Sequence, residues 1–516
     1  MTTTRKPGSS KVKTGTGHGR GHGKAPARGK TGRAAVGRGG QRGQAGRKGG
    51  HDAKSRPRPG GAGSRRGSGR GDGEVTDAAH RPVRFDQVDA TVLEVHGLVH
   101  AQGWLADRAL ERALRDSRLF ATERRAVAEA VYGITRWQGQ LDWLLQGAGG
   151  AVPELATRYA GWLVRFGGAT ADDAARRLAV PAAMLRGLAG AEKRLAALTE
   201  PVERLSLRGS LPFWLARRFI EELGEAEAVA LVSVLNDRAP LTVRANLLRG
   251  TREVLQATLA VEGTQATPTR FSPWGLTLDG HQNAFALPSF KAGRFEIQDE
   301  GSQLIALCCG ARSGQTVVDA CAGAGGKTLA LAAEMHNRGT LWALDSDTGR
   351  LDEARRRARR DGVDNLRVRA IAAGGEADQQ LDDLAGKADV VLIDAPCSGL
   401  GTLRRKPDAR WRLAPGDPEK FAGLQKTLAA RFGRLVKPGG RLVYATCAIG
   451  RTENGAVAEF IVETLPFDPA PLAPQLGAER AAALGVEGHT LQLLPHRHGT
   501  DGFFMAAFTR RKEPGA

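Results

Sequence analysis

Cysteine is scarce in this sequence of 516 residues, and the scarcity excludes several classes of protein. Five cysteines are too few for the disulfide framework of a secreted protein, and no Cys-x-x-Cys or Cys/His spacing indicates zinc, so we expect no metal site. The chain also lacks an apolar run of about 18 residues and an apolar segment near its N-terminus, which argues against a membrane span and against secretion. We therefore expect a cytoplasmic protein with reduced thiols and no membrane contact.

Acidic residues are scarce at the N-terminal end. Residues 1–80 contain 19 Lys/Arg and four Asp/Glu, a net charge of +15, whereas the remaining 436 residues carry only +5. The same segment has 22 glycines and almost no large apolar residue, so ordering it would cost entropy that no burial offsets. We predict a disordered Gly/Lys/Arg-rich tail over 1–80. An RNA-affinity role, with binding that falls as salt rises, and a merely solubilising role both fit this composition.

The pattern becomes helical over residues 85–205. Apolar residues recur there at three- and four-residue spacing, as in Val88, Val92 and Val95, which predicts an all-α domain. Residues 206–291 mix helical and strand patterns and are predicted to form a small α+β connector. Its predicted elements are two helices and a strand, at Phe213–Glu222, Glu225–Leu235 and Leu241–Leu247.

Strands and helices alternate over residues 292–512, which is typical of a doubly wound parallel sheet. The predicted parallel strands are Thr316–Ala320, Gly339–Leu344, Leu366–Ile371, Asp389–Ile393 and Arg441–Ala445. The predicted helices are Lys327–Met335, Arg350–Arg360, Glu419–Leu435 and Glu453–Thr464. Two further strands, Leu491–Leu494 and Phe503–Thr509, are expected to close an antiparallel edge.

A glycine-rich turn over Asp319–Thr328 joins the first of these strands to a helix. Such a turn lets backbone N–H groups and a helix N-terminus approach a ligand. A phosphate loop of the Walker type would need glycine where Cys321 stands, so a nucleoside without a triphosphate is favoured. The next strand ends at Asp345, 20 residues after Gly325, where an acidic side chain conventionally binds ribose hydroxyls. Turn and acid together indicate S-adenosylmethionine or a dinucleotide, although each alone also fits a purely structural role.

Two other predicted strands each lead into a cysteine. The strand Asp389–Ile393 is followed by Asp394 and Cys397, and the strand Arg441–Ala445 is followed by Cys447. Ligands of open α/β sheets bind outside the carboxyl ends of the strands, so these groups should converge on one crevice. Cys308 and Cys309, by contrast, lie on an apolar helical stretch and are predicted to be structural.

Two thiols beside a methyl donor fit the chemistry of cytosine. C5 of cytosine is a poor nucleophile, so one thiolate must first add to C6, and the second thiol can assist removal of the C5 proton. Asp394 can hydrogen-bond the N3/N4 edge of the base, and Lys327 can orient the base or a phosphate. The target base must be single-stranded or flipped out of its stack.

Several motifs occur in an order that matches one family. They are Phe295–Gln303, the turn Asp319–Thr328, Asp394–Gly399, Tyr444–Cys447 with Glu453-Asn454, and His498–Phe504. These segments closely resemble the Nol/Nop/Sun family of RNA 5-methylcytosine methyltransferases, particularly its RsmB type. The resemblance implies a Rossmann-like methyltransferase fold with a mixed seven-stranded sheet. It also implies S-adenosylmethionine as cofactor, Cys447 as nucleophile and Cys397 as an aid to product release. The implied cofactor contacts are Cys321, Ala322, Gly323, Ala324, Gly325, Gly326, Lys327, Asp345 and Asp394.

Two N-terminal segments, Leu119–Arg125 and Tyr132–Arg136, resemble the NusB-like RNA-binding domain of RsmB-type enzymes, and Pro240–Asn246 resembles a strand of their connector. This architecture favours 16S ribosomal RNA as the substrate over tRNA. A basic RNA enzyme of this size is most simply a monomer.

The sequence departs from the family at two places. The family commonly has an acid after its third strand, where Ala372 stands here, and the turn reads Gly323-Ala324 where Ala-Pro is usual. The missing acid favours one alternative, a non-catalytic RNA-binding factor of ribosome assembly, but binding alone would not require the two strand-end thiols. A tRNA cytosine methyltransferase is a second alternative. A dehydrogenase would share the turn and Asp345 and leave both thiols unexplained.

Overall fold

The computed structural model describes residues 83–115, 117–146, 152–280, 283–372 and 375–512. The chain divides into two units, Met1–Ala78 and Ala79–Ala516, and all described residues belong to the second. The predicted basic tail over 1–80 lies outside them.

The first part of the described chain is a set of packed helices. Its core holds the valines whose spacing predicts the first helix, with Val92 and Val95 fully buried. Apolar residues three and four apart lie on one face of a helix, which is why this pattern folds as it does. The helices are α1 Phe85–Gln102, α2 Ala106–Arg115, α3 Ala121–Leu145, α4 Leu155–Arg165, α5 Ala171–Leu178, α6 Ala182–Arg186, α7 Ala191–Ala196 and α8 Pro201–Gly209.

The connector contains helices α9 Phe213–Leu223, α10 Glu225–Leu235, α11 Arg252–Val261 and α12 Pro288–Lys291, and strands β1 Leu241–Ala245, β2 Ala266–Pro268, β3 Gly275–Leu278 and β4 Phe295–Ile297. The strands form an antiparallel sheet in the order β2-β3-β1-β4. This sheet extends past the predicted connector limit at residue 291. The physical reason is that β4 pairs with β1, and Phe295 is buried in the same apolar core as Val243.

The remaining chain forms the predicted mixed α/β sheet with helices on both faces. Its strands are β5 Thr316–Asp319, β6 Thr340–Asp345, β7 Leu366–Ala370, β8 Ala388–Asp394, β9 Val436–Thr446, β10 Phe467–Pro469, β11 Thr490–Leu493 and β12 Phe503–Arg510. Its helices are α13 Glu300–Cys309, α14 Gly326–Glu334, α15 Thr348–Asp361, α16 Ala409–Arg412, α17 Asp417–Gly433, α18 Gly455–Thr464, α19 Ala473–Leu476, α20 Ala478–Ala483 and α21 Pro495–His498.

The strand order is β10-β12-β9-β8-β5-β6-β7, and β11 pairs with β12 outside this path. Strands β5 to β9 are parallel, and the predicted antiparallel edge of β11 and β12 is confirmed. The sheet thus has eight strands in the described chain, one more than the predicted seven. The additional strand, β10, is only three residues long and ends in Pro469, so no alternating pattern marks it, and the burial of Phe467 beside β12 holds it in place.

Apolar side chains point alternately to the two faces of the sheet along each strand, and they form one apolar core on each face. Val317 packs on one face and Val318 on the other, as neighbouring residues of a strand must. The largest boundary difference lies at β9, which begins at Val436 rather than at Arg441. Pairing to β8 shifts register between Ala388 and Val390, and this irregularity accommodates the Pro-Gly-Gly run that reads as a turn in sequence. Among the described helices, none is both long and apolar enough to span a bilayer.

Two stacked histidines lie inside the helical part. The rings of His96 and His100 on α1 are 4.1 Å apart between centroids, and both ring nitrogens of His96 are buried without a hydrogen-bond partner among the described residues. Burial lowers the pKa of His96 well below its ordinary value and lowers the pKa of His100 to about 4; the charge of Arg158 acts in the same direction. The folded chain therefore binds fewer protons at these rings than the unfolded chain does.

We expect this histidine pair to make stability fall in acid. The contribution of this pair to the free energy of unfolding is fully present above 6.5, the pKa of histidine in the unfolded chain. An amount on the order of 2 kcal/mol is lost as the pH falls toward 4. Urea unfolding followed by circular dichroism at pH 7 and pH 4 should show a smaller loss for a His96→Leu, His100→Leu variant than for the wild type. Because the variant and the wild type have the same carboxylates, equal losses of stability in the two proteins would contradict the assignment of acid sensitivity to the histidine pair.

Candidate active site

The carboxyl ends of the four central strands meet at one edge of the sheet. Strands β9, β8, β5 and β6 are parallel neighbours in that order, and their last residues include Asp319, Asp345 and Asp394. Strand β9 ends at Thr446, immediately before Cys447. The structure therefore brings the glycine-rich turn, three carboxyl groups and the predicted thiols to one crevice.

The carboxylate of Asp345 faces the glycine-rich turn. Its Oδ2 accepts a hydrogen bond from the Gly323 amide at 2.7 Å. Gly323 and Gly325 have φ of +53° and +85°, a left-handed conformation that favours glycine. A Cβ on Gly325 would lie 3.0 Å from Cβ of Ala354, whereas a Cβ on Gly323 or Gly326 would meet nothing within 4 Å. The turn is thus closely packed against α15 and leaves open space beside the N-terminus of α14.

A buried carboxyl group, Asp319, anchors the far side of this turn. Its Oδ2 accepts a hydrogen bond from Thr328 Oγ1 at 2.7 Å, which joins the end of β5 to the first turn of α14. Its Oδ1 is buried and has no partner in the described part of the chain. Burial raises the pKa of Asp319 to about 7 against the opposing effect of the Thr328 bond. Thr328, the last residue of the glycine-rich turn, therefore has a structural role.

The third parallel strand, β7, ends at Ala370 and leads to the position where the sequence lacks an acid. Ala372 is exposed, its amide donates to Gln380 Oε1 at 3.2 Å, and its carbonyl accepts from Arg431 Nη1 at 3.1 Å. A methyl side chain at this strand end offers no hydrogen-bond acceptor to a ligand, so an acceptor there would have to come from the backbone or a neighbouring segment.

Lys327 and Asp394 form an ion pair at the centre of the crevice. Lys327 Nζ lies 2.7 Å from Asp394 Oδ2 and 5.7 Å from the centre of the Phe503 ring. Burial alone would lower the pKa of Lys327, but the charge and hydrogen bond of Asp394 outweigh burial and raise it. The lysine therefore stays protonated and fixes the carboxylate through one of its two oxygens.

The two predicted thiols are in direct contact. Sγ of Cys397 and Sγ of Cys447 are 3.1 Å apart without a disulfide, and the Cys447 amide donates to Cys397 Sγ at 3.3 Å. The hydrogen bond between the sulfurs lowers the pKa of Cys447, assisted by the charges of Lys327 and Lys406. The same bond, together with burial, raises the pKa of Cys397 well above its ordinary value. Cys447 is therefore the sulfur that ionises first, with Cys397 as its hydrogen-bond donor.

Two neighbouring residues, Glu453 and Asn454, hold the loops that carry these thiols. Glu453 Oε1 accepts from the Ser398 amide at 2.8 Å and fixes the loop after Cys397. Asn454 Oδ1 accepts a hydrogen bond from Thr446 Oγ1 at 2.6 Å, and the Asn454 side-chain amide donates to the Ala448 carbonyl at 3.2 Å. Asn454 thus holds the residues before and after Cys447. The Glu-Asn pair that carries part of the family resemblance thus has a physical role that sequence alone did not assign.

A second support is a buried charge network behind the crevice. Arg404 Nε donates to Asp501 Oδ1 at 2.6 Å, and Arg405 donates to Asp501 at 2.5 Å and to Asp299 at 2.9 Å. Asp299 and Asp501 belong to two of the motifs quoted for the resemblance, so those motifs serve to anchor the segment after Cys397. The cationic Arg404-Arg405 pair was not singled out by the sequence, because its partners lie about 100 residues away in the chain.

The remaining cysteines also have defined positions. Cys308 and Cys309 on α13 are fully buried in the core, as predicted for structural thiols. Cys321 lies half-buried in the glycine-rich turn, and burial raises the pKa of its thiol, so it is not poised as a nucleophile.

Comparisons with known proteins give a consistent result. Residues 306–509 match the family model described as 16S rRNA methyltransferase RsmB/F, and residues 211–284 match that of the RsmF/B-like ferredoxin-like domain. The probable ribosomal RNA small subunit methyltransferase B of Synechocystis is 31% identical over 426 residues, which cover 78% of this chain and 94% of that protein. The probable ribosomal RNA small subunit methyltransferase B of Bacillus subtilis is 32% identical, over 61% of this chain and 70% of the relative.

Solved structures agree. The crystal structure of PH0851 aligns with a TM-score of 0.67 and 26% identity, over 84% of this chain and all of that chain. A methyltransferase homologue from Pyrococcus horikoshii aligns with a TM-score of 0.51 and 27% identity, over 61% of this chain and all of that chain.

We expect Cys447 to be the more reactive thiol and its reactivity to depend on Cys397. Alkylation by iodoacetamide, followed by mass spectrometry of the two peptides across a pH series, should modify Cys447 at lower pH. The Cys397→Ala variant removes the donor and should shift the alkylation profile of Cys447 to higher pH, whereas Cys397→Ser, which keeps a hydroxyl donor, should shift it less. A Cys447 profile that is unchanged in Cys397→Ala would contradict the proposed pairing.

Proposed function

The chain belongs to the RsmB type of the Nol/Nop/Sun family of RNA methyltransferases, and on that premise we propose that it methylates C5 of a cytosine in 16S ribosomal RNA through a covalent adduct with Cys447. It is an S-adenosylmethionine-dependent methyltransferase by its family and fold. The observation that carries the finer proposal is the contact of Cys397 and Cys447, at 3.1 Å, beside the Lys327–Asp394 ion pair.

The glycine-rich turn fits S-adenosylmethionine. We propose that residues 321–327, Asp345 and Asp394 hold the cofactor. Open space beside Gly323 and Gly326 admits a nucleoside, and the Asp345 carboxylate retains lone pairs for ribose hydroxyls. The cofactor supplies a methyl group on a positively charged sulfur. Ala372 contributes no acid, so the adenosine contact made elsewhere in the family by that acid is proposed to come from other groups of this chain.

The protein side chains would prepare the base for methyl transfer. The Cys447 thiolate adds to C6 of the cytosine, which makes C5 electron-rich enough to accept a methyl group. The Asp394 carboxyl bonds the N3/N4 edge and balances charge in the adduct, while Lys327 keeps it oriented. Reaction occurs only on an unstacked base, because the cysteine must approach the face of the pyrimidine ring.

Release of the product would fall to Cys397. Once Cys447 is bound to C6, it no longer acts as a thiolate acceptor, and the largest cause of the raised pKa of Cys397 disappears. Cys397 can then ionise and take or relay the C5 proton, after which the C6–sulfur bond breaks and Cys447 is regenerated. The proximity of the two sulfurs supports this division of labour.

The other parts of the chain would deliver the RNA. We propose that helices over residues 85–205 form a NusB-like RNA-binding domain and that the following connector joins it to the catalytic region. A non-catalytic assembly factor remains the second candidate, favoured by Ala372. This alternative does not explain two contacting thiols whose pKa values are shifted in opposite directions, because RNA binding alone does not require them.

We expect loss of one modified cytosine in cells without this protein. Bisulfite sequencing of 16S ribosomal RNA from a deletion strain should show one protected cytosine lost, restored by the wild type and not by Cys447→Ala. Purified Cys447→Ala should lose methylation by about 1000-fold or more while binding S-adenosylmethionine normally. A ribosomal map that is unchanged by the deletion would redirect the search to tRNA. Full activity of the Cys447→Ala variant would refute the assignment of Cys447 as the nucleophile.

We expect variants of Cys397 to trap the covalent intermediate. With the release step blocked, Cys397→Ala incubated with RNA and S-adenosylmethionine should give a slowly migrating protein–RNA species on a denaturing gel. Cys308→Ala is the matched control, because it removes a thiol that lies in the core outside the sulfur pair and the proposed cofactor site. The double variant Cys397→Ala, Cys447→Ala should give no adduct. Absence of the species in Cys397→Ala would count against the release role.

A further inference from the structure

Helix α15 contacts the glycine-rich turn through an arginine that none of the roles assigned above uses. Arg357 Nη1 donates a hydrogen bond to the Ala324 carbonyl at 2.8 Å. Three residues earlier on α15, Ala354 packs against Gly325, where an added Cβ would lie 3.0 Å from the alanine Cβ. Residues three apart lie on one face of a helix, so α15 presents Ala354 and Arg357 together to the turn.

The guanidinium of Arg357 is itself held by a buried carboxylate of the antiparallel connector sheet. Arg357 Nη2 donates to Glu296 Oε2 at 2.7 Å, and the Glu296 side chain is only 3% exposed. Glu296 lies on β4, and its other oxygen binds Arg360, three residues further along α15. Arg357 therefore uses one terminal nitrogen for the connector and the other for the turn, which fixes the plane of its guanidinium group.

The backbone of the turn has few restraints of its own. Ala324 is surrounded by three glycines, Gly323, Gly325 and Gly326. Glycine restricts the backbone less than any other residue does, so such a segment costs much entropy to hold in one conformation. The Ala324 carbonyl and the Gly325 N–H belong to one planar peptide group. This N–H donates to the Ala322 carbonyl at 2.9 Å and the carbonyl accepts from Arg357, so the group is fixed at both ends immediately before α14 begins.

We infer that Arg357 is a positioning residue of the cofactor site, which fixes the peptide group ahead of α14 and thereby the direction of the N–H groups at the start of that helix. The first N–H groups of a helix have no partner within the helix and are available to a ligand. Through Glu296, the connector also becomes part of the support of this site. The inference rests on the proposed function, because residues 321–327 are its proposed cofactor contacts.

Calorimetric titration of the full chain with S-adenosylmethionine tests this role. Arg357→Ala should weaken binding about 10-fold, the loss expected for one hydrogen bond from a charged group. Arg360→Ala is the matched control, because it also removes an arginine of α15 from Glu296 but leaves the bond to Ala324, and it should bind as the wild type does. Equal losses of affinity in the two variants would overturn the inference, since the ion pairs with Glu296 would then account for the whole effect.

A proline at position 324 should compensate for the lost hydrogen bond. Ala324 has a negative φ, and its amide donates to no group of the described chain, so a proline ring can restrict this backbone without removing a bond. The double variant Arg357→Ala, Ala324→Pro should therefore regain most of the lost affinity, although it does not restore the contact with Glu296. No recovery in the double variant would contradict an action of Arg357 through the turn.

Hydrogen exchange separates this inference from the proposed cofactor site. Without S-adenosylmethionine, the peptide that spans residues 321–328 should exchange faster in Arg357→Ala than in the wild type and in Arg360→Ala. Arg357→Lys keeps a positive charge beside Glu296 and so protects the fold, but it lacks the second nitrogen that reaches Ala324, and it should show the same faster exchange and weaker binding.

Unchanged exchange and affinity in Arg357→Ala and Arg357→Lys would overturn the inference and leave the proposed cofactor site intact. A wild type that binds no S-adenosylmethionine, while exchange of the turn still depends on Arg357, would instead contradict the proposed cofactor site.

Discussion

The parallel pairing of β8 with β9 is the constraint on which the rest of the site depends. Their register places Asp394 opposite Ala445, and the Ala395 amide donates to the Ala445 carbonyl at 2.8 Å. Cys397 follows Asp394 by three residues and Cys447 follows Ala445 by two, so the two sulfurs have little freedom to separate. A slip of one strand by one residue would turn the side chains of that strand to the other face of the sheet, and the thiol contact would be lost.

The short loops after β8 and β9 are held by polar groups as well as by buried apolar side chains such as Leu400 and Ile449. Glu453 and Asn454 satisfy backbone groups on both loops, and Arg404 and Arg405 fix the segment beyond Cys397 to Asp299 and Asp501. Buried polar groups of this kind are costly when unpaired, so the network specifies one loop geometry. In the proposed reaction, rigid loops matter because the Cys447 sulfur must meet C6 of the base at a defined distance and direction.

Electrostatic interactions give different pKa values to two chemically identical side chains, Cys397 and Cys447. The contact between the thiols lowers the pKa of one and raises that of the other, and the cations Lys327 and Lys406 act on Cys447. Two identical side chains thus acquire different acidities from their positions alone. The connector takes part as well: α9 bonds the loop beyond Cys447 through Arg218 and Glu222, so a region outside the catalytic sheet bears on the site.

The sequence by itself determined the order of strands and helices, the glycine-rich turn and the convergence of Asp345, Asp394, Cys397 and Cys447, because parallel strands place their carboxyl ends at one edge. Strand periodicity and strand-end chemistry are local signals, and a sequence displays them directly. The tertiary structure decided which sulfur is the more acidic, that Lys327 pairs with Asp394, and that β10 and β4 exist as strands. Each of these depends on residues far apart in the chain, or on strands of three residues, whose only sequence signal is a buried aromatic side chain.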